Sequence, residues 1–214
     1  MRTWKWWGAA ALSLGIVATS SPAAAKRAGG RPLVQRGEYL VTIAGCNDCH
    51  TPWKMGPNGP TPDTSRLLSG HPEAVVVEAM PSAPAAPWMA TTTGTFTAWA
   101  GPWGVSFAAN LTPDPETGIG KWTEQNFIEA MRTGRHMGRG RPILPPMPWP
   151  NVAKMTDDDL KAAYAYLKSV PPIRNRVPDP IPPDEAAQGG PPPGEQPAAA
   201  PQRSEPAAAP EGAR

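Results

Sequence analysis

Cysteine is scarce in this chain, with two in 214 residues. So small a number excludes a disulfide-dense scaffold and a zinc site built from four thiolates. Charged residues make up 18% of the chain and its formal net charge at pH 7 is +2, a balance that does not indicate a nucleic-acid partner. Proline is abundant instead, at 31 residues, and it excludes a helical bundle over the whole length because proline breaks helix interiors.

The beginning of the chain lacks an apolar run long enough for a bilayer span. The uncharged stretch 6–18 is shorter than the roughly 18 residues that such a span needs. Arg2 and Lys5 precede it, and small residues follow it up to Ala25. This order is typical of a signal peptide, which we assign to 1–25 with cleavage after Ala25. It predicts export and a periplasmic location, with an uncleaved membrane anchor as the alternative.

The end of the chain is rich in proline and alanine and poor in residues that build a core. Segment 173–214 contains no aromatic residue, so it has little apolar surface to offset the entropy of ordering. We predict a disordered tail there, with a proline-rich spacer or docking arm as the alternative. The folded domain is then expected over 26–172. Within it, 71–104 is expected as a loop-rich insertion, in which β-forming residues allow a small hairpin.

Both cysteines lie in one short motif, Cys46-Asn47-Asp48-Cys49-His50. A Cys-x-x-Cys pair followed at once by histidine is typical of covalent attachment of a c-type haem. The two thiols add to the two vinyl groups, and the histidine that follows lies beside the iron as its proximal ligand. A thioredoxin-like redox pair, a structural disulfide and a zinc site are the alternatives, and each leaves part of the motif unexplained.

Three helices are predicted from apolar periodicity. The first covers 34–45 and leads into the motif, where a glycine ends it. The second covers 123–133 with Thr123 as its N-cap, and the third begins at Thr156, whose three following acidic residues suit the positive end of a helix dipole. Two consecutive prolines at 171–172 end the third helix.

The arrangement resembles the class I cytochrome c family, and 105–172 resembles the haem modules that accompany periplasmic dehydrogenases. The resemblance implies an all-α, cytochrome c-like fold around one covalently attached haem c. It also implies a methionine loop between the second and third helices. It is carried by NLTPD at 110–114, GIGKW at 118–122, PMPWP at 146–150 and YAYL at 164–167.

Met147 is the favoured second axial ligand of the iron, opposite His50. Its neighbours in 145–150 are mostly proline, which restricts the backbone and lets the loop hold one side chain in place at little entropic cost. Its position before Thr156 is also the one that the family resemblance implies. His136 and Met137 are the alternative ligands. If Met147 is not a ligand, it is expected to be a methionine that packs within the loop.

A basic cluster precedes that loop, formed by Arg135, Arg139 and Arg141. Guanidinium groups suit carboxylates, so these arginines are expected either to pair with haem propionates or to form a solvated docking patch. Trp149, next to the loop, is expected either to cover the haem edge and exclude water or to pack in the core.

The leading functional hypothesis is a one-haem electron carrier that is not itself an enzyme. A narrower version makes the chain the cytochrome subunit of an exported dehydrogenase, which passes electrons to a respiratory acceptor such as a terminal oxidase or another cytochrome. Membrane association is possible only through an uncleaved signal or a partner. If no residue fills the sixth iron position, the alternative is a haem-based gas sensor or a weak peroxidase.

Overall fold

The computed structural model describes residues 22–77 and 88–188. The predicted signal peptide therefore lies mostly outside the described residues. None of the described helices combines the length and hydropathy needed to cross a membrane. The helices are α1 (Pro22–Ile43), α2 (Cys46–His50), α3 (Glu124–Thr133), α4 (Trp149–Val152), α5 (Asp157–Leu167) and α6 (Pro183–Gln188). The strands are β1 (Trp53–Gly56), β2 (Gly59–Pro62), β3 (Thr91–Thr92), β4 (Ala98–Gly101) and β5 (Gly104–Phe107).

The domain is organised by the packing of α1 against α5. Gly37 on α1 has no side chain, and this lets the backbone of α1 approach Ala162 on α5 closely. Val41, Leu160 and Leu167 are buried in the core cluster at this end of the molecule. The close approach holds α1, from whose end the haem motif follows, beside α5.

The predicted boundaries of α3 and α5 follow from local capping. Thr123 accepts a hydrogen bond from the Asn126 amide, and the Asn126 side chain accepts one from the Thr123 amide, which forms a capping box. Gly134 ends α3 with a φ of 64°, in the left-handed region that favours glycine. Thr156 caps α5 through the amide of Asp159. Helix α5 packs against both α1 and α3.

The prediction of an all-α fold is wrong. The structure is mixed, with 36% of its residues in helices, 14% in strands and two antiparallel sheets. One sheet is the β1–β2 hairpin, which has Pro57 and Asn58 in its turn, and the other has the order β3–β4–β5. Asn58-Gly59 at this turn is a local hairpin signal that the prediction did not include. The second sheet reaches Phe107, beyond the predicted insertion 71–104, because Ala98, Ala100 and Val105 bury their side chains there.

Residues 173–188, predicted as the start of a disordered tail, pack against the domain instead. Ile181 forms an antiparallel bridge with Val105 of β5, and Ala186 on α6 is buried beside the same strand. Asn175 is also buried, with its side chain fully hydrogen-bonded. The composition of the whole segment 173–214 conceals these few anchoring residues. The remainder, 189–214, lies outside the described residues.

Candidate functional site

A cavity of about 680 Å³ lies between helices α1, α3 and α5 and the sheet that contains β4 and β5. Its volume is in the range of about 300–1,000 Å³ that is usual for small-molecule and cofactor pockets. Its walls are mainly apolar and include Leu40 and Val41 from α1, Phe127 from α3 and Leu160 from α5. Residues that would otherwise form a continuous core therefore surround an internal space.

Helix α2 brings both cysteines to this cavity. Gly45 precedes it with a φ of 68°, a left-handed conformation that turns the chain sharply at the end of α1. Cys46 and Cys49 follow, are half-buried and carry free thiols. Burial raises the pKa of Cys46 to about 11. The pKa of Cys49 is also raised, mainly by burial and to a smaller extent by the nearby Asp48 carboxylate. Both side chains are consequently neutral thiols near pH 7.

His50 ends α2 and is 8% exposed. Its Nδ1 lies 2.7 Å from the backbone oxygen of Ala109, and because that oxygen only accepts hydrogen bonds, Nδ1 carries the proton. Burial lowers the pKa of the ring, so the neutral form prevails near pH 7. The lone pair of Nε2 is then free to bind a metal, in the arrangement usual for metal-bound histidines.

Three methionines line the cavity: Met131, Met147 and Met155. Met131 and Met155 also pack against the main hydrophobic core. Met147 comes from the proline-rich loop that forms a separate wall with Leu144 and Pro148. Among the two alternative ligands, His136 lines the cavity, whereas the structure does not place Met137 in its wall.

The three predicted arginines have different surroundings. Arg141 lines the cavity. All three are exposed, and neither Arg135, which donates from Nη1 to the backbone oxygen of Gly140, nor Arg139 is part of the cavity wall. A fourth arginine, Arg176, reaches the cavity from the segment that was predicted to be disordered. Sequence reasoning missed it, since nothing in its neighbourhood distinguishes it from the other arginines of the C-terminal segment.

Trp149 lies against α3 and is not part of the cavity wall that the structure describes. A Cβ atom added at Gly134 would lie 2.3 Å from its Cε2 atom, so the indole packs directly on this glycine. Trp122 lines the cavity and meets the His136 ring edge-on, with ring centroids 4.9 Å apart. The structure thus places Trp122 at the cavity and Trp149 behind it.

Trp99 on β4 is a cavity residue that sequence reasoning missed. Its Nε1 atom is buried and has no hydrogen-bond partner among the described residues. A buried N–H group without an acceptor is costly, so an acceptor on a bound molecule would stabilise it. No local signal marks this tryptophan, because its position depends on the pairing of β4 with β5.

The donor groups around the cavity fit a haem. Two thiols and an imidazole with a free Nε2 lie on one short helix, at one wall of an apolar space. Arg141, Arg176 and the unpaired Trp99 N–H supply hydrogen-bond donors suited to carboxylate groups. The cavity therefore combines apolar walls, thiols placed for covalent attachment, a nitrogen ligand and donors for acidic substituents.

The chain is similar to cytochrome subunits of several dehydrogenases. It is 31% identical over 172 residues to the alcohol dehydrogenase (quinone), cytochrome c subunit, of Gluconobacter oxydans, a match that covers 79% of this chain and 28% of the relative. It is 32% identical over 142 residues to the gluconate 2-dehydrogenase cytochrome c subunit of Pantoea cypripedii, covering 66% of this chain and 24% of the relative.

A diheme cytochrome c-type protein of Cereibacter sphaeroides is also similar, at 27% identity over 140 residues. That match covers 64% of this chain and 36% of the relative. The chain thus spans about a quarter to a third of the length of these three proteins. No protein-family model matches it.

Proposed function

The chain forms a haem module of the cytochrome c family, as its sequence motifs predict, and on that premise we propose that it is a one-electron carrier. One haem c is held covalently by Cys46 and Cys49, with His50 and Met147 as axial ligands. The observation that carries this proposal is the convergence of α2 and the Met147 loop on one apolar cavity. A haem bound there supplies reversible exchange of one electron between the ferrous and ferric states.

The residues of the chain prepare the cavity for that role. The Ala109 carbonyl holds the imidazole of His50 in one orientation through Nδ1, and this makes Nε2 a better electron donor to a metal. The apolar wall formed by Leu40, Val41 and Phe127 excludes water and favours the less charged, reduced state. A thioether ligand from Met147 acts in the same direction and raises the reduction potential.

An exported dehydrogenase is the proposed electron donor. The relatives in Gluconobacter oxydans and Pantoea cypripedii are named as cytochrome c subunits of dehydrogenases, and the predicted signal peptide indicates export. The proposed site of action is the periplasm, in keeping with the predicted signal peptide. A terminal oxidase or another cytochrome is the proposed acceptor. Co-purification of the native protein with a polypeptide that reduces it on addition of substrate tests this arrangement.

Met147→Ala is expected to remove the sulfur-to-iron absorption band of the oxidised protein and to lower its reduction potential, since the thioether ligand is lost. The visible spectrum and a redox titration measure both effects. Met131→Leu is the matched control, because Met131 lines the same cavity but packs in the core, and it should keep the band. Persistence of the band in Met147→Ala would refute Met147 as the ligand.

An open sixth iron position is the alternative, and it predicts a gas sensor or weak peroxidase. Carbon monoxide distinguishes the two. The reduced wild-type protein should not bind this gas at neutral pH if Met147 occupies the iron, whereas Met147→Ala should. Rapid binding to the wild type would favour the alternative.

Arg141→Gln is expected to lower the reduction potential more than Arg139→Gln, by on the order of tens of millivolts. Both arginines are exposed, but Arg141 lines the cavity, so its positive charge opposes oxidation of the iron, whereas Arg139 is not part of the cavity wall. Redox titrations of the two variants at the same ionic strength measure the difference. Equal shifts would indicate that both arginines belong to a solvated patch rather than to the cavity.

A further inference from the structure

The loop that carries Met147 is tied to the second sheet through one hydroxyl group. Ser106 on β5 is largely buried, and its Oγ lies 2.5 Å from the backbone oxygen of Pro145. Pro145 stands two residues before Met147 in the sequence. The contact therefore joins β5 to the loop proposed to hold the second axial ligand.

The direction of this hydrogen bond is set by its partners. The carbonyl of Pro145 only accepts, so the hydroxyl of Ser106 donates. The other acceptor near Oγ, the backbone oxygen of Trp99, is farther away at 3.4 Å. Trp103 Nε1 lies 3.3 Å from the same Oγ and donates to it. The single hydroxyl proton thus goes to Pro145, while the indole of Trp103 occupies an acceptor position on Oγ.

The composition of the loop makes this tie important. Pro145, Pro146 and Pro148 have no backbone N–H, so these three residues can be anchored by hydrogen bonds only through their carbonyls. The Met147 amide reaches the Leu144 oxygen at 3.3 Å, which is a contact within the loop itself. The Pro148 oxygen accepts from the Asn151 amide of the following helix α4, and the bond from Ser106 connects the loop to β5, which is distant in sequence.

Strands β4 and β5 also form part of the cavity wall. Trp99 and Phe107 line it together with Ser106. Because Ser106 and Met147 line the same cavity, the bond from Ser106 to Pro145 holds the Met147 loop at the cavity wall.

We propose that Ser106 is a positioning residue, which holds the Met147 loop so that the thioether stays directed at the iron. The inference rests on the proposed function, since it requires Met147 as the axial ligand. The β4–β5 hairpin then has a role in the haem site, because it keeps the Met147 thioether from being displaced from the iron.

Competition with added imidazole tests the proposal on the oxidised, haem-loaded protein. Imidazole displaces the thioether and abolishes the sulfur-to-iron band, so the concentration at half-loss measures how firmly Met147 is held. In Ser106→Ala this concentration is expected to fall roughly three- to tenfold, as the loss of one hydrogen bond implies. Ser106→Thr keeps the hydroxyl and should remain near the wild-type value.

Thr92→Val is the matched control, because Thr92 Oγ1 donates to the Ala98 oxygen within the same sheet and not to the loop. It should leave the imidazole titration unchanged, even if it lowers the unfolding temperature. Equal half-loss concentrations in wild type, Ser106→Ala and Thr92→Val would overturn the positioning role while leaving Met147 as the ligand. Absence of the band from the wild type itself would overturn the ligation and this inference together, so the two failures are distinguishable.

Discussion

Gly37→Ala is expected to destabilise the domain by about 3 kcal/mol, near the upper end of the usual cost of overpacking. A Cβ atom at this position would lie 1.9 Å from the Ala162 backbone oxygen and 2.8 Å from the Tyr166 Cβ. The obstructing atoms belong mainly to the backbone of α5, so a side-chain rotation cannot relieve the overlap. The two helices would have to move apart.

The consequence extends to the cavity, because α1 also carries Leu40 and Val41, which form part of its wall. A shift of α1 would admit water beside the haem and lower the reduction potential as well as the stability. Chemical denaturation of the haem-loaded protein measures the first effect, and a redox titration measures the second.

Gly30→Ala is the matched control for Gly37→Ala. Gly30 lies on the same helix, and an added Cβ atom there meets no other atom within 4 Å. Alanine is a better helix former than glycine, so this variant should stabilise the helix by about 0.5–1 kcal/mol. If both variants changed the free energy of unfolding alike, the close approach of α1 and α5 at Gly37 would be refuted.

Asn175→Ala is expected to cost about 3–5 kcal/mol of stability, because it leaves several buried groups without partners. The Asn175 Nδ2 donates to the backbone oxygens of Ser69 and His71, at 2.7 and 2.8 Å. Its Oδ1 accepts from Arg66 Nη2 at 2.7 Å and from the Glu73 amide at 2.9 Å. Both N–H donors of Nδ2 and both acceptor positions of Oδ1 are therefore used.

Asn175→Asp tests the same network without a change in size. The carboxylate cannot donate, and one of its oxygens would face the two carbonyl groups that Nδ2 now satisfies. Thermal and chemical unfolding should show a loss for both variants and none for Asn151→Ala, which removes an exposed asparagine on α4. Wild-type stability of Asn175→Asp would exclude the hydrogen-bond network as the source of the effect.

The Asn175 variants should also alter the haem environment. Residues 176–180 follow directly and line the cavity, with Arg176 and Asp179 among them. Asn175 holds the start of this segment against the loop at 69–73. Loss of that anchor would open one wall, so we expect a lower reduction potential alongside the lower stability.

Short-range patterns were sufficient for several features. The haem motif needs five consecutive residues, and the helix boundaries at Thr123 and Thr156 depend on side chains that hydrogen-bond three residues ahead. These interactions are local, so the sequence predicts them directly. The relatives then confirm the resemblance to cytochrome c subunits that the sequence motifs imply.

Features that depend on distant contacts were missed. The indole of Trp99 reaches the cavity because β4 pairs with β5, and Arg176 reaches it because Asn175 bonds to a loop about a hundred residues earlier in the chain. The hairpin at Asn58 has a local signal in Asn58-Gly59, which the prediction of an all-α fold did not include. The β1–β2 sheet, which depends on strand pairing, was therefore absent from the predicted all-α fold.

The amino-acid sequence alone was enough to identify the covalent haem motif, its histidine and the helices around it, because each depends on residues adjacent in the chain. The tertiary structure decided which arginines and which tryptophans reach the cavity. It also placed a proline-rich segment beyond residue 172 in the cavity wall. The physical reason is that a few buried hydrogen bonds, such as those of Asn175 and Ser106, join segments far apart in sequence, and the average composition of a segment does not reveal them.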